Sequence, residues 1–462
     1  MSRETMTFSS FAGFDFGTSN CAVGLYQDGQ PVLARLPEHG SYMSSTLFAP
    51  TRDVISGWLY QKLKQNNMAD AYQHARRAHI EMSLKALREA QLDGYDSELQ
   101  FGQQAFDAYM EDPFDCYYVK SPKSFLGASG LSERHCQQFE DIVAATMWHI
   151  RSQVAQSTDC YPDKVVIGRP VNFQGLNSEQ SNQQAIAILT QAAKFAGFSQ
   201  IEFLYEPLAA GLTYQATLSE PKRVLVVDIG GGTTDISMME MGPDFDHKFD
   251  HQRLVLGYSG ERIGGNDFDI ALNLQTLMPH LGMNQALASG QPMPHKIYYD
   301  AASVNDLPAQ SHFYGRESEK LLTDLKDDMQ KDYWQRLRRL KHEQLTQSLN
   351  RSAEQSKIAL GQNGEYQCNL DYLEPGLQTS LYQQQLQQAG EKLTQALSKL
   401  IQDVLTQAGV QPDVLFLTGG SANSPVIKSF LAEHFQGIKQ VSADNFGSVT
   451  QGLTRWAKQI YS

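Results

Sequence analysis

A stretch near the middle of the chain decides the fold: Val224-Leu225-Val226-Val227-Asp228-Ile229-Gly230-Gly231-Gly232-Thr233-Thr234-Asp235. An apolar run of strand length ends in an aspartate, a glycine turn follows, and Ile236–Met241 predicts a second strand. Three consecutive glycines cost backbone entropy and add no packing, so a plain hairpin rarely uses them. They let backbone N–H groups approach a phosphate closely, and the stretch therefore predicts a phosphate-binding loop.

The beginning of the chain repeats this pattern in a weaker form. Apolar Phe11–Phe14 leads into Asp15-Phe16-Gly17-Thr18-Ser19-Asn20, and Cys21–Tyr26 predicts the next strand of an antiparallel meander. The hexapeptide alone is explained more simply as a hairpin turn capped by aspartate and threonine. The recurrence of strand, aspartate, glycine–threonine turn and strand predicts two related halves. Each half would bring one aspartate to a shared site, where carboxylates can hold a hydrated Mg²⁺.

A third glycine segment follows a predicted buried strand late in the chain. Gly419-Gly420-Ser421 comes directly after Asp413–Leu417 and Thr418. Its glycines would let an adenine and a ribose lie against the backbone. An ordinary strand-to-helix turn explains the segment equally well, so both interpretations stay open at this point.

Composition and charge narrow the classes of function. The 462 residues carry 38 Lys and Arg against 51 Asp and Glu, a net charge of −13, which disfavours binding to nucleic acid or to an anionic membrane. We find no apolar run near the ~20 residues that span a bilayer. The five cysteines are widely spaced without a C-x-x-C pair, and the twelve histidines show no metal-binding spacing. We therefore expect a soluble, cytoplasmic protein.

Several further motifs join these segments in a fixed order. The set is Gly13–Asn20, Gly102–Ala105, Lys123–Gly127, Glu206–Ala210, Asp228–Asp235, Gly264–Asp269, Glu354–Lys357 and Gly419–Ser421. In this order the set resembles the actin-fold ATPases, and within them the ATPase domain of heat shock protein 70 (DnaK-type) chaperones. A closer resemblance, to short YegD-like homologues, rests on residues 120–130 and 167–175.

The resemblance implies an α/β, actin-like ATPase fold. Its two ribonuclease-H-like lobes, each with a mixed five-stranded sheet and helices, would surround a central nucleotide cleft. The expected boundaries are 8–221 for lobe I with an insertion at about 48–141, and 222–443 for lobe II with an insertion at about 266–384. Residues 444–462 would form a helix that returns to lobe I. Helical spacing from Leu386 to Val404 also predicts one long helix ending at Gly409.

The resemblance further implies roles around the phosphates. Asp15 and Asp228 would hold Mg²⁺ through water. Lys123 matches the γ-phosphate lysine because it stands just before Ser-Phe-Leu-Gly, with Lys120 as its competitor. Glu206 matches the carboxylate that orients the attacking water. The two phosphate loops would consist of Gly17, Thr18, Ser19 and Asn20 and of Gly230, Gly231, Gly232 and Thr233.

The adenosine would lie against two other segments. Glu354 and Lys357 match the pair that holds ribose and adenine, and the second segment comprises Gly419, Gly420, Ser421 and Asp444. Taken together, the resemblance assigns catalysis to Lys123, Glu206, Asp228 and Thr233. It implies ATP or ADP with Mg²⁺ as ligands and co-chaperones as protein partners.

The sequence also departs from the family pattern. It ends before the linker, the β-sandwich peptide-binding domain and the helical lid of DnaK-type chaperones. Pro170 matches the family's switch proline without a clear equivalent of the arginine that couples it to the linker. Gly361 and Asn423 replace a serine and an arginine of the adenosine pocket. We therefore expect a chaperone-like ATP-binding protein with weak Mg-dependent ATPase activity. A small-molecule kinase and an actin-like filament ATPase are the alternatives on the same fold.

Overall fold

The computed structural model of the protein describes residues 8–95, 98–114, 116–173, 178–243, 255–442 and 447–462. The described strands are β1 (Phe11–Phe16), β2 (Asn20–Gln27), β3 (Gln30–Leu33), β4 (Met43–Ser44), β5 (Thr46–Ala49), β6 (Gln100–Phe101), β7 (Tyr117–Lys120), β8 (Lys164–Arg169), β9 (Gln200–Tyr205), β10 (Lys222–Ile229), β11 (Thr234–Met241), β12 (Val255–Glu261), β13 (Glu365–Asn369), β14 (Gln378–Tyr382), β15 (Val414–Thr418) and β16 (Lys439–Ser442).

The described α-helices are α1 (Arg52–Gln65), α2 (Asp70–Ala75), α3 (Ile80–Leu92), α4 (Gly102–Glu111), α5 (Glu133–Thr158), α6 (Ser178–Phe195), α7 (Glu206–Gln215), α8 (Gly265–Leu272), α9 (Lys296–Ala302), α10 (Leu307–Tyr314), α11 (Arg316–Asp324), α12 (Lys331–His342), α13 (Thr346–Leu360), α14 (Gln383–Ala389), α15 (Glu391–Ala408), α16 (Pro425–His434) and α17 (Gly447–Tyr461). Pro122–Phe125 and Met278–Leu281 form 3₁₀ turns, and Asn273–Leu277 forms a π-helical turn. Among these helices, none is both long and apolar enough to cross a membrane.

Two sheets share one topology. The first has the order β3-β2-β1-β8-β9, with an antiparallel meander at one side and the parallel strands β8 and β9 at the other. The short strand β4 pairs with β2 beside this order. The second sheet has the order β12-β11-β10-β15-β16, again an antiparallel meander followed by two parallel strands. The predicted duplication into halves with mixed five-stranded sheets is therefore confirmed.

The register of each meander places an aspartate beside its turn. In the first sheet Asp15 pairs with Ala22, and in the second Asp228 pairs with Asp235. The central strand β10 is paired on both edges, with β11 and β15, and its apolar run Val224–Val227 is fully buried, so both of its faces are covered as well. Both aspartates therefore sit at the end of a strand held firmly by its neighbours.

Helix α17 joins the core around the first sheet. It packs against β1, β2, β8 and α7 at very short range. A Cβ at Gly13 would lie 2.6 Å from Thr454 Oγ1, and a Cβ at Gly452 would overlap the Ala209 carbonyl. The Thr418 hydroxyl meets that of Ser448 at 2.6 Å, so the end of β15 and the start of α17 are also joined.

The chain divides into two compact units. Unit 1 comprises 1–262, 398–423 and 435–462, and unit 2 comprises 263–397 and 424–434. Unit 1 contains both five-stranded sheets and the small sheet β6-β5-β7 with helices α1–α5. Unit 2 contains α8–α14 and the hairpin β13-β14. The lobe and insertion boundaries expected from the sequence stay a prediction.

One helix differs from its prediction. The expected continuous helix from Leu386 is divided into α14 and α15 at Gly390. A Cβ at Gly390 would lie 2.8 Å from Val426 Cγ1 and 3.3 Å from the ring of Phe268. This close approach to α16 and α8 requires glycine, and it interrupts a helix whose apolar spacing continues across it.

Candidate functional site

The two glycine turns meet face to face within unit 1. The turn between β1 and β2 and the turn between β10 and β11 lie far apart along the chain. A Cβ at Gly231 would overlap Ser19 Oγ, and a Cβ at Gly232 would lie 3.0 Å from Thr18 Cγ2 and 3.2 Å from Ser124 Oγ. Both turns are therefore in contact, and glycine is the residue that permits this approach.

The first turn is fastened by a serine that the sequence analysis did not single out. The Ser45 hydroxyl donates to the Gly17 carbonyl at 2.7 Å, and the Ser45 N–H donates to the Ser19 carbonyl at 2.9 Å. The second turn closes on itself through the Gly230 N–H, which donates to the Thr233 carbonyl at 2.9 Å. Each turn thus has a fixed backbone before any ligand binds.

The same serine also orders the segment that carries Lys123. The Ser45 carbonyl accepts from the Ser121 N–H at 2.8 Å. Ser121 has φ of +57°, in the left-handed region that a residue other than glycine adopts at a cost. Its conformation reverses the chain after β7, so that Pro122 starts the short 3₁₀ turn and Lys123 points inward. Lys123 is only 5% exposed.

Lys123 forms a buried ion pair with Glu206. The Lys123 ammonium donates to Glu206 Oε1, and both side chains are buried. Glu206 begins α7, where Pro207 occupies an early helical position that needs no N–H donor. Burial by itself lowers the pKa of Lys123, but the carboxylates of Glu206 and Asp15 outweigh it, so the pKa lies above its usual value. Lys123 is therefore a fixed positive charge in the site.

Lys120, the competing lysine, lies elsewhere on the same segment. It ends β7, where it pairs with Thr46 on β5, and it is half-buried. The structure brings Lys123, three residues later, to Glu206. Which of the two lysines contacts a γ-phosphate stays a prediction, and the geometry supports Lys123.

Three aspartates surround this ion pair. Burial, reinforced by the Glu206 carboxylate, raises the pKa of Asp15 to about 7. Burial, followed by Glu206, Asp235 and Asp15, raises the pKa of Asp228 well above its ordinary value. Each aspartate contributes to a local excess of acidic groups over the single ammonium of Lys123 in the described part of the site. Such a group of carboxyls favours an added cation.

Asp235 is a site residue that sequence reasoning left without a role. Its Oδ1 accepts the Val171 N–H at 2.7 Å, and a Cβ at Gly260 would lie 2.5 Å from the same oxygen. Burial and Glu206 raise the pKa of Asp235 to about 7, against the opposing hydrogen bonds from Val171 and Thr233. Its place at the end of the glycine motif was the available signal, but the partner at Val171 is visible only in three dimensions.

The third glycine segment lies beside the second turn. Gly419 has φ of +85°, and a Cβ there would lie 2.6 Å from Asp228 Oδ1. The Ser421 N–H donates to the Ile229 carbonyl at 3.2 Å, while Gly420 is exposed. The segment is thus joined to the strand that carries Asp228. Asp444, the last residue predicted for it, lies outside the described residues.

Glu354 and Lys357 lie on α13, within unit 2. The Lys357 ammonium pairs with Asp269 at 2.8 Å and donates to the Gly265 carbonyl at 3.2 Å. Glu354 accepts from Arg351 at 2.8 Å. Both side chains therefore have partners on α8 or α13, and their role in holding adenosine stays a prediction.

The fold and the facing turns together define a class of protein. A duplicated α/β fold in which each half presents a glycine turn after a strand-ending aspartate is the actin-like ATPase fold. Comparison with known proteins narrows the class. The family model described as Hsp70 protein matches residues 126–281.

Curated relatives point to the same family. The chain is 26% identical over 292 residues to "Chaperone protein dnaK3" of Synechocystis sp., covering 61% of this chain and 30% of that protein. It is 26% identical to "Chaperone protein dnaK" of Thalassiosira pseudonana, covering 56% and 38%, and 22% identical to that of Cyanidioschyzon merolae, covering 91% and 57%. The chain thus spans about a third to just over half of these relatives' length. Over these parts of its length, the chain is similar to proteins of the Hsp70 family.

Proposed function

We propose that the protein binds ATP between the two facing glycine turns of unit 1 and hydrolyses it slowly. The observation that carries the proposal is the contact of Thr18 and Ser19 with Gly231 and Gly232, beside the Lys123–Glu206 ion pair. Phosphoryl transfer depends on positioning and on compensation of charge rather than on covalent catalysis. The site offers backbone turns for positioning and a buried ammonium for charge.

Each residue of the site has a defined part in this proposal. The turns would hold the β- and γ-phosphates by backbone N–H groups and by the hydroxyls of Thr18, Ser19 and Thr233. Lys123 would neutralise a γ-phosphate oxygen, since its ammonium is buried and fixed. Glu206, once its ammonium partner turns to the phosphate, would orient water for attack. The adenosine would rest against Gly419–Ser421.

The donor set also fits a magnesium ion. Asp15 and Asp228 present buried carboxyls whose pKa values are raised first by burial and then by neighbouring carboxylates, Glu206 foremost among them. Mg²⁺ takes one or two carboxylates and keeps most of its waters, so these two side chains would hold it through water. When bound, Mg²⁺ supplies charge neutralisation at the phosphates.

A chaperone-type role is supported by the relatives rather than by the geometry of the site. The relatives reported above are named as DnaK chaperones. We propose that nucleotide state acts here as a switch read by protein partners of the co-chaperone type, in the cytoplasm. The acidic net charge of −13 argues against nucleic acid or an anionic membrane as the partner.

Calorimetry and product analysis test the proposal. Titration of the purified protein with ATP in the presence of Mg²⁺ should give one binding site, and slow release of inorganic phosphate should follow. Transfer of the γ-phosphate to a metabolite instead of water would indicate the kinase alternative. ATP-induced light scattering with a critical concentration would indicate filament formation. Absence of adenine-nucleotide binding to well-folded protein would contradict the ATPase interpretation altogether.

A further inference from the structure

Three potential metal ligands come together on elements that take no part in the nucleotide proposal. Glu38 and His39 lie in the turn Leu36–Gly40 after β3, and His149 lies on α5. One ligand atom of each residue lies within 4.8 Å of those of the other two. The histidines are 110 positions apart in sequence, so their spacing gives no motif.

The distances match those around a small metal ion. The two Nε2 atoms face each other at 3.1 Å, and His39 Nε2 lies 4.0 Å from Glu38 Oε2. Two facing imidazole nitrogens cannot both present an N–H, so at least one lone pair points between the rings. Zinc–nitrogen bonds of about 2.0–2.1 Å at a tetrahedral angle place two nitrogens about 3.3 Å apart. Little movement would be needed to admit the ion.

Neighbouring groups hold the three side chains in place. Gln153, 2% exposed, donates to Glu38 Oε1 at 2.8 Å, and the Glu38 N–H donates to Gln153 Oε1 at 3.3 Å. The His149 ring stacks on Phe101 with centroids 4.2 Å apart. Outer contacts of this kind orient ligands in metal sites and tune their affinity.

We propose that Glu38, His39 and His149 bind one divalent transition-metal ion of the zinc class. Two imidazole nitrogens and one carboxylate suit Zn²⁺, Co²⁺ or Ni²⁺ and do not suit Mg²⁺. A cavity of about 750 Å³, lined by both Glu38 and His149, adjoins the cluster. The cavity supplies water as the remaining ligand, as in metal sites with three protein ligands.

Cobalt titration of the metal-stripped full chain tests this site. We expect one equivalent of Co²⁺ to give the visible absorption of a four- or five-coordinate ion, and Zn²⁺ to displace it. His149→Gln and His39→Gln should each weaken binding about 100-fold or more, and Gln153→Ala about 10-fold or more, since it orients Glu38. His74→Gln, at an exposed histidine on α2, is the matched control and should bind as the wild type does.

Several results would overturn the site. One is equal metal affinity of the wild type and both ligand variants, with circular dichroism showing that they are folded. Another is a thiolate-to-cobalt band in the near ultraviolet, because it would place the ion at a cysteine. A third is no binding by the wild type, which would leave the two rings joined by an imidazole–imidazole hydrogen bond. If one ligand variant fails to fold, the metal affinities of the other ligand variant and of Gln153→Ala test the site. None of these readouts depends on nucleotide.

Discussion

The Val171 N–H donates a 2.7 Å hydrogen bond to the carboxylate of Asp235. Val171 follows the parallel strand β8 of the first sheet, and Asp235 lies on β11 of the second. One buried carboxylate therefore links the two halves of the duplication beside the glycine turns. Any change in the charge of Asp235 should therefore alter the free energy of unfolding of unit 1.

A pH dependence of stability follows from Asp235. Its pKa of about 7 in the folded protein lies above the ordinary value of 3.8, so the folded state binds the proton more tightly than the unfolded state. The resulting stabilisation is complete below pH 4 and is lost as the pH rises to about 7. Between these values the free energy of unfolding should fall by up to about 1.4 kcal/mol per pH unit from this group.

Asp235→Asn isolates that contribution. The amide keeps an oxygen for the Val171 N–H but cannot ionise. Urea unfolding at pH 5 and pH 8 should show a smaller loss of stability on raising the pH for the variant than for the wild type. An identical loss in both proteins would show that Asp235 does not titrate in this range.

The lysine assignment leads to a paired experiment. Lys123→Ala should reduce ATP turnover about 100-fold, as for loss of a fixed charge at a transferring phosphate. Lys120→Ala should stay within about twofold, because Lys120 ends β7 opposite Thr46, whereas Lys123 is the lysine that pairs with Glu206. Single-turnover phosphate release measures the turnover of both variants. The reverse ranking would assign the γ-phosphate to Lys120.

Loss of Lys123 also leaves Glu206 buried without its partner, which by itself costs stability. The double variant Lys123→Met/Glu206→Gln controls for this effect. It should recover the folding stability that Lys123→Ala loses, without recovering turnover.

A substitution at Glu206 should affect nucleotide hydrolysis much more than nucleotide binding. Glu206→Gln keeps the size of the side chain and removes its charge, so nucleotide affinity should change little. Hydrolysis should slow at least about 10-fold, as for loss of a group that positions or activates water. Calorimetry and single-turnover kinetics give the two quantities. Wild-type turnover in the variant would remove Glu206 from the catalytic proposal.

Asp228 should govern the dependence on magnesium. Asp228→Ala should abolish Mg-dependent hydrolysis while the fold survives, because the proposed water-mediated support of the ion is lost. Adding EDTA to the wild type should have the same effect. Circular dichroism checks the fold, and phosphate release over a series of Mg²⁺ concentrations checks the metal role. Unchanged turnover in the variant would contradict that role.

The contact between the glycine turns can be tested by adding one methyl group. A Cβ at Gly231 would displace the Ser19 hydroxyl, so Gly231→Ala should weaken nucleotide binding about 10-fold, a loss of about 1.4 kcal/mol. Gly364→Ala is the control, since its Cβ would enter open space in unit 2. Equal affinities of both variants and the wild type would show that the turns do not hold the ligand together.

Much of the fold could be predicted from the sequence because many of its elements are determined by residues close together in the chain. The apolar strands, their aspartates and the helix start at Glu206-Pro207 depend on neighbouring residues, and the repeated strand pattern indicated the duplicated sheets. The features that could not be predicted depend on contacts between residues far apart in the chain. Ser45 braces the first turn and belongs to no motif. Ser121 redirects the chain toward Lys123, and although it lies within residues 120–130, the sequence assigned it no role. The break at Gly390 likewise reflects packing against Val426, which helical spacing cannot report.

The packing of α17 has a consequence for how the protein reaches its native state. Gly13 and Gly24 on the first two strands are shaped to receive Thr454, so the hydrophobic layer over that sheet stays incomplete until residues 447–461 arrive. Contacts between such remote segments are slow to form because a long chain must first be closed. We therefore expect synthesis to run nearly to the last turn of this helix before protease resistance appears. A nascent chain halted earlier should remain a client of the folding machinery.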